Sequence, residues 1–177
     1  MKSVFAGLLF CAFAAAPAQA ALTVGASAPD FTAKASLGGK EFDFSLAEAL
    51  KKGPVVLYFY PAAFTTGCTI EAHEFAAATD KFAALGATVI GVSHDGIATL
   101  DKFSVSECRS KFAVAADPDG TVIKQYDAGM TGRPLADRIS YVIAPDNSVI
   151  FSFTSGDPYK HVDLTMDAVK GWRAAHP

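Results

Sequence analysis

The sequence predicts an α/β protein, a central mixed β-sheet with helices on both faces. Three observations carry this expectation. Residues 55–60 form an uninterrupted β-branched and aromatic run, the pattern of a strand covered on both sides. Helix-like and strand-like segments then alternate as far as Tyr126. Two alternating runs, 138–143 and 148–154, are joined by Ala144-Pro145-Asp146-Asn147 and read as an antiparallel hairpin.

Residues 31–34 and 41–44 flank Leu37-Gly38-Gly39-Lys40 and predict a small N-terminal hairpin. Ser45-Leu46-Ala47-Glu48 is a capping box that opens a short helix to about Lys51. After the 55–60 strand, the loop Pro61–Gly67 leads into a helix over 68–85, stopped by Gly86. A strand at 87–93 follows, then a helix at about 97–110 for which Asp95 serves as turn and N-cap residue. A strand at 112–116, the turn Asp117-Pro118-Asp119-Gly120 and a short helix around 122–126 come next. Asp157 and Pro158 are the N-cap and first-turn pair of a last helix reaching about Trp172. A sheet of this kind displays its reactive loops at the carboxyl ends of central strands, and the 61–68 segment is placed at one.

The chain has 177 residues, 51% of them hydrophobic, and a net charge of −3. That is room for one ordinary domain. Without a Lys/Arg cluster it is unsuited to nucleic acid or an anionic membrane surface. Residues 1–20 hold fifteen of the hydrophobic residues and one charge, Lys2. The apolar run 4–16, Pro17 and the small-x-small Ala18-Gln19-Ala20 read as a cleaved secretory signal, leaving a mature domain at 21–177. A run of thirteen residues, about 20 Å as a helix, is too short for a permanent membrane anchor. The expected location is therefore exported, the bacterial periplasm. Cys11 is lost with the signal, and the mature chain keeps two cysteines, Cys68 and Cys108. On spacing alone the pair reads equally as a stabilising disulfide, worth at most about 4 kcal/mol, or as a redox pair.

The surroundings of Cys68 favour chemistry. A thiol in the first turn of a helix faces unpaired N–H groups and the positive end of the helix dipole, both of which favour the thiolate. Thr65 or Thr66 can cap that helix, and a hydroxyl three residues before the sulfur can bind a ligand beside it. Pro61 offers no N–H and shields the sulfur from water. Metal binding has no support in the spacing of His73, His94, His161 and His176, and His73 reads as a solvated or partly buried helix residue.

Pro61-x-x-x-Thr65-x-x-Cys68 resembles the active-site motif of the peroxiredoxins. The likeness continues through Tyr58-Phe59-Tyr60, Gly67-Cys68-Thr69-x-Glu71, Ala28-Pro29-Asp30-Phe31, Gly91-Val92-Ser93-x-Asp95, Asp117-Pro118-Asp119-Gly120 and Arg138. It covers about 24–172 and is strongest to the bacterioferritin-comigratory, or Q-type, subgroup. The resemblance implies a thioredoxin-like fold and reduction of hydrogen peroxide and organic hydroperoxides, with no cofactor. It makes Cys68 the peroxidatic cysteine, oxidised to a sulfenic acid. Thr65 would orient the peroxide, Arg138 would stabilise the thiolate and the leaving oxygen, and Glu71 would hold Arg138. The N–H groups of Gly67 and Cys68 would add donors worth about 2–4 kcal/mol each. Q-type proteins often place a resolving cysteine five residues after the first, where this chain has His73. Cys108 is the candidate instead, which requires its Cα within about 7 Å of that of Cys68 and an unwinding of the first helical turn. The implied partners are a hydroperoxide and a thioredoxin-like or small-thiol reductant, with the chain a monomer or homodimer. Two other readings stay open: a thioredoxin-type oxidoreductase, although Thr65 stands where its first cysteine belongs, and a non-enzymatic domain stapled through Cys68 and Cys108.

Overall fold

A computed structural model describes residues 21–177; the expected export signal, 1–20, with Cys11, lies outside the described residues. Twelve elements are described: β1 (Thr32–Leu37), β2 (Lys40–Ser45), α1 (Leu46–Leu50), β3 (Val55–Phe59), α2 (Thr66–Ala84), β4 (Thr88–Ser93), α3 (Ile97–Ser106), β5 (Ala113–Ala116), α4 (Thr121–Gln125), β6 (Ile139–Ile143), β7 (Val149–Thr154) and α5 (Pro158–Ala175). The strands make one sheet in the order β2-β1-β5-β4-β3-β6-β7. β3, β4 and β5 run parallel, whereas β6, β7, β1 and β2 join by antiparallel pairings. The predicted mixed α/β sheet is thus present, with β3 inside it between β4 and β6.

Every residue of β3 is buried, as a doubly covered strand requires. Its side chains alternate between two cores. Val55, Leu57 and Phe59 face a layer closed by Leu46, Ile123, Tyr126 and the N-terminal residues Ala28 and Phe31. Val56, Tyr58 and Tyr60 face the layer made by α2, α3 and α5, which contains both Cys68 and Cys108. In that second layer the Tyr58 ring stacks on Phe75 at 4.5 Å and on Tyr60 at 5.4 Å, and Tyr60 stacks on Phe103 at 5.6 Å. This aromatic column fixes β3, α2 and α3 against one another directly beneath the loop that follows β3.

Local chemistry sets most boundaries as expected. Gly38 and Gly39 turn the first hairpin at φ +58° and +75°, and Ser45 caps α1 by accepting the N–H of Glu48. Asp157 accepts the N–H of Tyr159 at the start of α5, which runs three residues past Trp172. Four expectations are corrected. α2 begins at Thr66, before Cys68, because Gly67 and Cys68 already follow an extended Thr65. Arg138 precedes β6 instead of opening it. α3 takes Gly96 as its N-cap, with the Asp95 carboxylate engaged elsewhere. It also stops at Ser106, so Cys108 lies in the turn after the helix and not on it. There the chain enters the left-handed region at Arg109 and Ser110, φ +51° and +55°, which ends the helix without a glycine.

One close approach tests the packing. A β-carbon added to Gly91 of β4 would lie 2.7–2.8 Å from the Tyr58 ring and hydroxyl. Gly91→Ala should therefore lower stability by about 1–3 kcal/mol, read as a drop in the urea midpoint, because the ring is held by its stacking partners. An unchanged midpoint would mean that the column can slide.

Candidate active site

The site is built where the buried β3 gives way to α2. The backbone N–H of Tyr60 still donates to Val92 of β4, at 3.1 Å. Beyond it the 61–65 loop is pinned by a residue of the neighbouring strand end: Asp95 Oδ2 accepts the N–H of Ala63 at 2.7 Å and the hydroxyl of Ser93 at 2.8 Å. Phe64 takes φ +64° and lies half exposed, its ring edge-on to Phe103 at 5.2 Å. Thr65 is extended and is the N-cap of α2, yet its hydroxyl does not cap the helix as expected. It donates to the carbonyl of Ala62 at 2.9 Å, and the residue is exposed, so its oxygen remains able to accept. The first helical bond is Thr69 N–H to Thr65 O, so the N–H groups of Thr66, Gly67 and Cys68 precede the ladder. Pro61 is partly exposed at the start of the loop.

Cys68 is 1% exposed and its sulfur faces Arg138, whose Nη2 donates to Sγ at 3.5 Å. The other arm of the guanidinium, Nη1, is bonded to Glu71 Oε2. Glu71 is one turn beyond Cys68 on α2 and fully buried, so both partners of Arg138 come from one helix face. Arg138 reaches them because β6 pairs with β3 at Phe59 and Ile139, which sets its side chain beside the first turn of α2. It packs against Gly67, where an added β-carbon would sit 2.9 Å from Nη2. The structure therefore brings Thr65, Cys68, Glu71 and Arg138 together around the loop that starts at Pro61.

One buried cation thus faces a carboxyl group and a sulfur. Burial opposes the charge on Arg138, but Glu71 and Cys68 outweigh it and hold the guanidinium charged. Burial pushes Glu71 up to about 8, with Arg138 pulling against it. Behind Glu71 stands His161 of α5, fully buried and absent from the sequence-derived site. Its Nε2 lies 2.9 Å from the carbonyl of Ser155, which can only accept, so Nε2 carries the proton. Its Nδ1 then accepts from the Ser140 hydroxyl at 2.8 Å and lies 3.9 Å from Glu71 Oε1. Burial, with help from Arg138, lowers the His161 pKa and keeps the ring neutral. Asp95 is the second residue whose place in the site went unrecognised, although it stands in the Gly91–Asp95 motif.

Cys108 is fully buried in the same core layer as Cys68, and the two sulfurs are free thiols. Burial and the neighbouring Glu107 push its thiol far above the usual range, so in this position it is a poor nucleophile. His73 is a partly buried residue of α2, as expected, and pairs with Glu107 at 2.9 Å.

Residues 24–152 match the AhpC/TSA family. The bcp protein of Helicobacter pylori (strain J99 / ATCC 700824) is 42% identical over 107 residues, 60% of this chain and 67% of that protein. The chloroplastic peroxiredoxin Q of Oryza sativa subsp. japonica is 33% identical over 145 residues, 80% of this chain and 64% of that protein. Among solved structures, peroxidoxin BcpB from Mycobacterium tuberculosis superposes with a TM-score of 0.75 at 31% identity, covering 84% of this chain and 96% of its own.

The buried carboxylate gives the site a pH signature. Because Glu71 is raised from 4.5 to about 8, the folded protein keeps a proton that the unfolded chain releases across that interval. Its contribution to stability is therefore lost as pH rises from about 5 to 8. Glu71→Gln keeps the shape and removes the titration. Urea midpoints at pH 5 and pH 8 should show the variant gaining on wild type by about 1–3 kcal/mol between the two. A parallel pair of midpoints would mean that Glu71 is ionised throughout.

Proposed function

We propose a complete peroxidase cycle for this chain, which belongs to the AhpC/TSA family, with Cys68 as its nucleophile. Proteins of that family are thiol-dependent peroxidases, and so is this one. The observation that carries the assignment of Cys68 is its sulfur, in the first turn of a helix, with Arg138 Nη2 at 3.5 Å.

In the first step the Cys68 thiolate attacks the terminal oxygen of hydrogen peroxide or an organic hydroperoxide. The S–O bond forms as the O–O bond breaks, and the sulfur is oxidised to sulfenic acid. The departing oxygen takes a proton and leaves as water or an alcohol. Arg138 spans the thiolate and the space where charge collects on that oxygen, held by Glu71. The N–H groups of Gly67 and Cys68 lie ahead of the first helical bond and are available as further donors beside the sulfur. Thr65, having spent its proton on Ala62, can only accept, which suits the O–H of a peroxide and orients it. Pro61 bounds the site without adding a donor.

In the second step Cys108 displaces hydroxide from the Cys68 sulfenic sulfur, giving a Cys68–Cys108 disulfide and water. Both cysteines already face one core layer, but Cys108 must leave its buried turn and the first turn of α2 must open. A thioredoxin-like protein or a small thiol then reduces the disulfide. The export signal read in residues 1–20 supports a periplasmic location for this cycle, with the chain acting as a monomer or homodimer.

The test is reduced protein mixed with one equivalent of hydrogen peroxide, followed by thiol count and mass. Wild type should lose both thiols, Cys108→Ser should stop at a sulfenic acid, and Cys68→Ser should not turn over. Arg138→Ala should slow the first step by at least a hundredfold, and Gly67→Ala, which pushes the guanidinium aside, by ten- to a hundredfold, both as rough expectations. Thiols that survive peroxide as long as free cysteine would overturn the proposal.

A further inference from the structure

Residues 107–111, the turn between α3 and β5, carry Cys108 and hold an unfavourable backbone. Arg109 and Ser110 stand in succession at φ +51° and +55°, a region that side chains with a β-carbon avoid. The turn is kept closed by the N–H of Cys108 on Phe103 O at 3.0 Å and the N–H of Ser110 on Ser104 O at 2.9 Å. It is also tied to α2 at both ends. His73 Nε2 lies 2.9 Å from Glu107 Oε2, and Lys111 Nζ lies 3.1 Å from Asp80 Oδ2. His73 and Asp80 are two turns apart on one face of α2. The two pairs therefore straddle Cys108.

We propose that His73–Glu107 and Asp80–Lys111 are positioning pairs for the second step: they clip the Cys108 turn onto α2 and set how fast Cys108 reaches oxidised Cys68. This rests on the reading of Cys108 as the resolving cysteine. Cys108 is fully buried, so it cannot bond to Cys68 unless its turn moves, and that movement separates both pairs from α2. Backbone strain at Arg109 and Ser110 drives the turn open, and the two side-chain pairs hold it shut. The Asp80–Lys111 pair is exposed and the His73–Glu107 pair partly so; pairs near water are weak and screened by salt, which suits a clip that delays release without blocking it. Once released, the Cys108 thiolate attacks the sulfenic sulfur. The S–S bond forms, the S–O bond breaks, and hydroxide leaves with the thiol proton as water. While the clip is closed the sulfenic acid persists, open to an external thiol or to a second peroxide that carries it to sulfinic acid.

The experiment compares wild type with His73→Ala, Asp80→Asn, the double variant, and the swapped pair Asp80→Lys with Lys111→Asp. After one equivalent of hydrogen peroxide, rapid quenching and mass analysis follow sulfenic acid and disulfide separately. Each single variant should form the disulfide about two- to fivefold faster, and the double variant faster still, with the first step unchanged. The swapped pair should return to the wild-type rate. Added sodium chloride should speed disulfide formation in wild type and not in the double variant. Equal disulfide rates in all variants would overturn the clip while leaving the resolving role of Cys108 intact. A first step altered in parallel would also overturn it, since that is general loosening. A wild type that never forms the Cys68–Cys108 disulfide would overturn both readings.

Discussion

The site depends on a single guanidinium held between two groups that both call for positive charge. Arg138 bonds Glu71 with one arm and reaches the Cys68 sulfur with the other, in a space almost closed to water. Arg138 pulls the Glu71 carboxyl toward its charged form against the effect of burial, and Glu71 in turn offsets the burial of the guanidinium. Glu71 and Arg138 therefore fix each other, and the direction of the free Nη2 arm follows from that contact. Because Glu71 and Cys68 are three residues apart on α2, the arm falls on the sulfur as a result of helix geometry alone. His161 and Ser140 complete the surroundings of Glu71 with a neutral ring, so that no second cation competes for the carboxylate.

Such a contact has to be carried by something stiff. The stacked column Phe75, Tyr58, Tyr60 and Phe103 ties α2, β3 and α3 into one layer just below the loop. Asp95 adds a polar tie by joining the loop to the end of β4. Both ties are made before any peroxide arrives, so little conformational entropy is left to lose when it binds. The opposite holds at Cys108. Its turn has a strained backbone and is tied to α2 by two side-chain pairs near the surface, and it is the part of the layer suited to movement.

How far the sequence could be read depended on where the determining contacts lie. β3 is legible because burial on both faces leaves no polar residue in Val55–Phe59. The grouping of Thr65, Cys68, Glu71 and Arg138 was legible as a motif, since three of the four fall within seven residues. The end of α3 was not, because Glu107, Cys108, Arg109 and Ser110 carry no glycine and continue a helical composition. The stop comes from left-handed residues and from the contacts of the 107–111 turn with α2. Asp95 reads locally as a helix cap, but its carboxylate is taken by Ala63 and Ser93. His161 carries no local mark at all, since Glu71, Ser140 and Ser155, which define its place, come from three other segments.

The space between Gly91 and Tyr58 has a consequence for how this sequence can drift. The missing side chain of one residue is the volume occupied by the ring of the other, so the two positions form one steric unit shared by neighbouring strands. A substitution that adds a methyl at 91 becomes acceptable only after the ring at 58 has been shortened, and shortening the ring first leaves a void beside Phe75. Either order passes through a poorly packed intermediate. Over descent the two positions should change together or not at all, making them a covarying pair whose cause is packing and not catalysis.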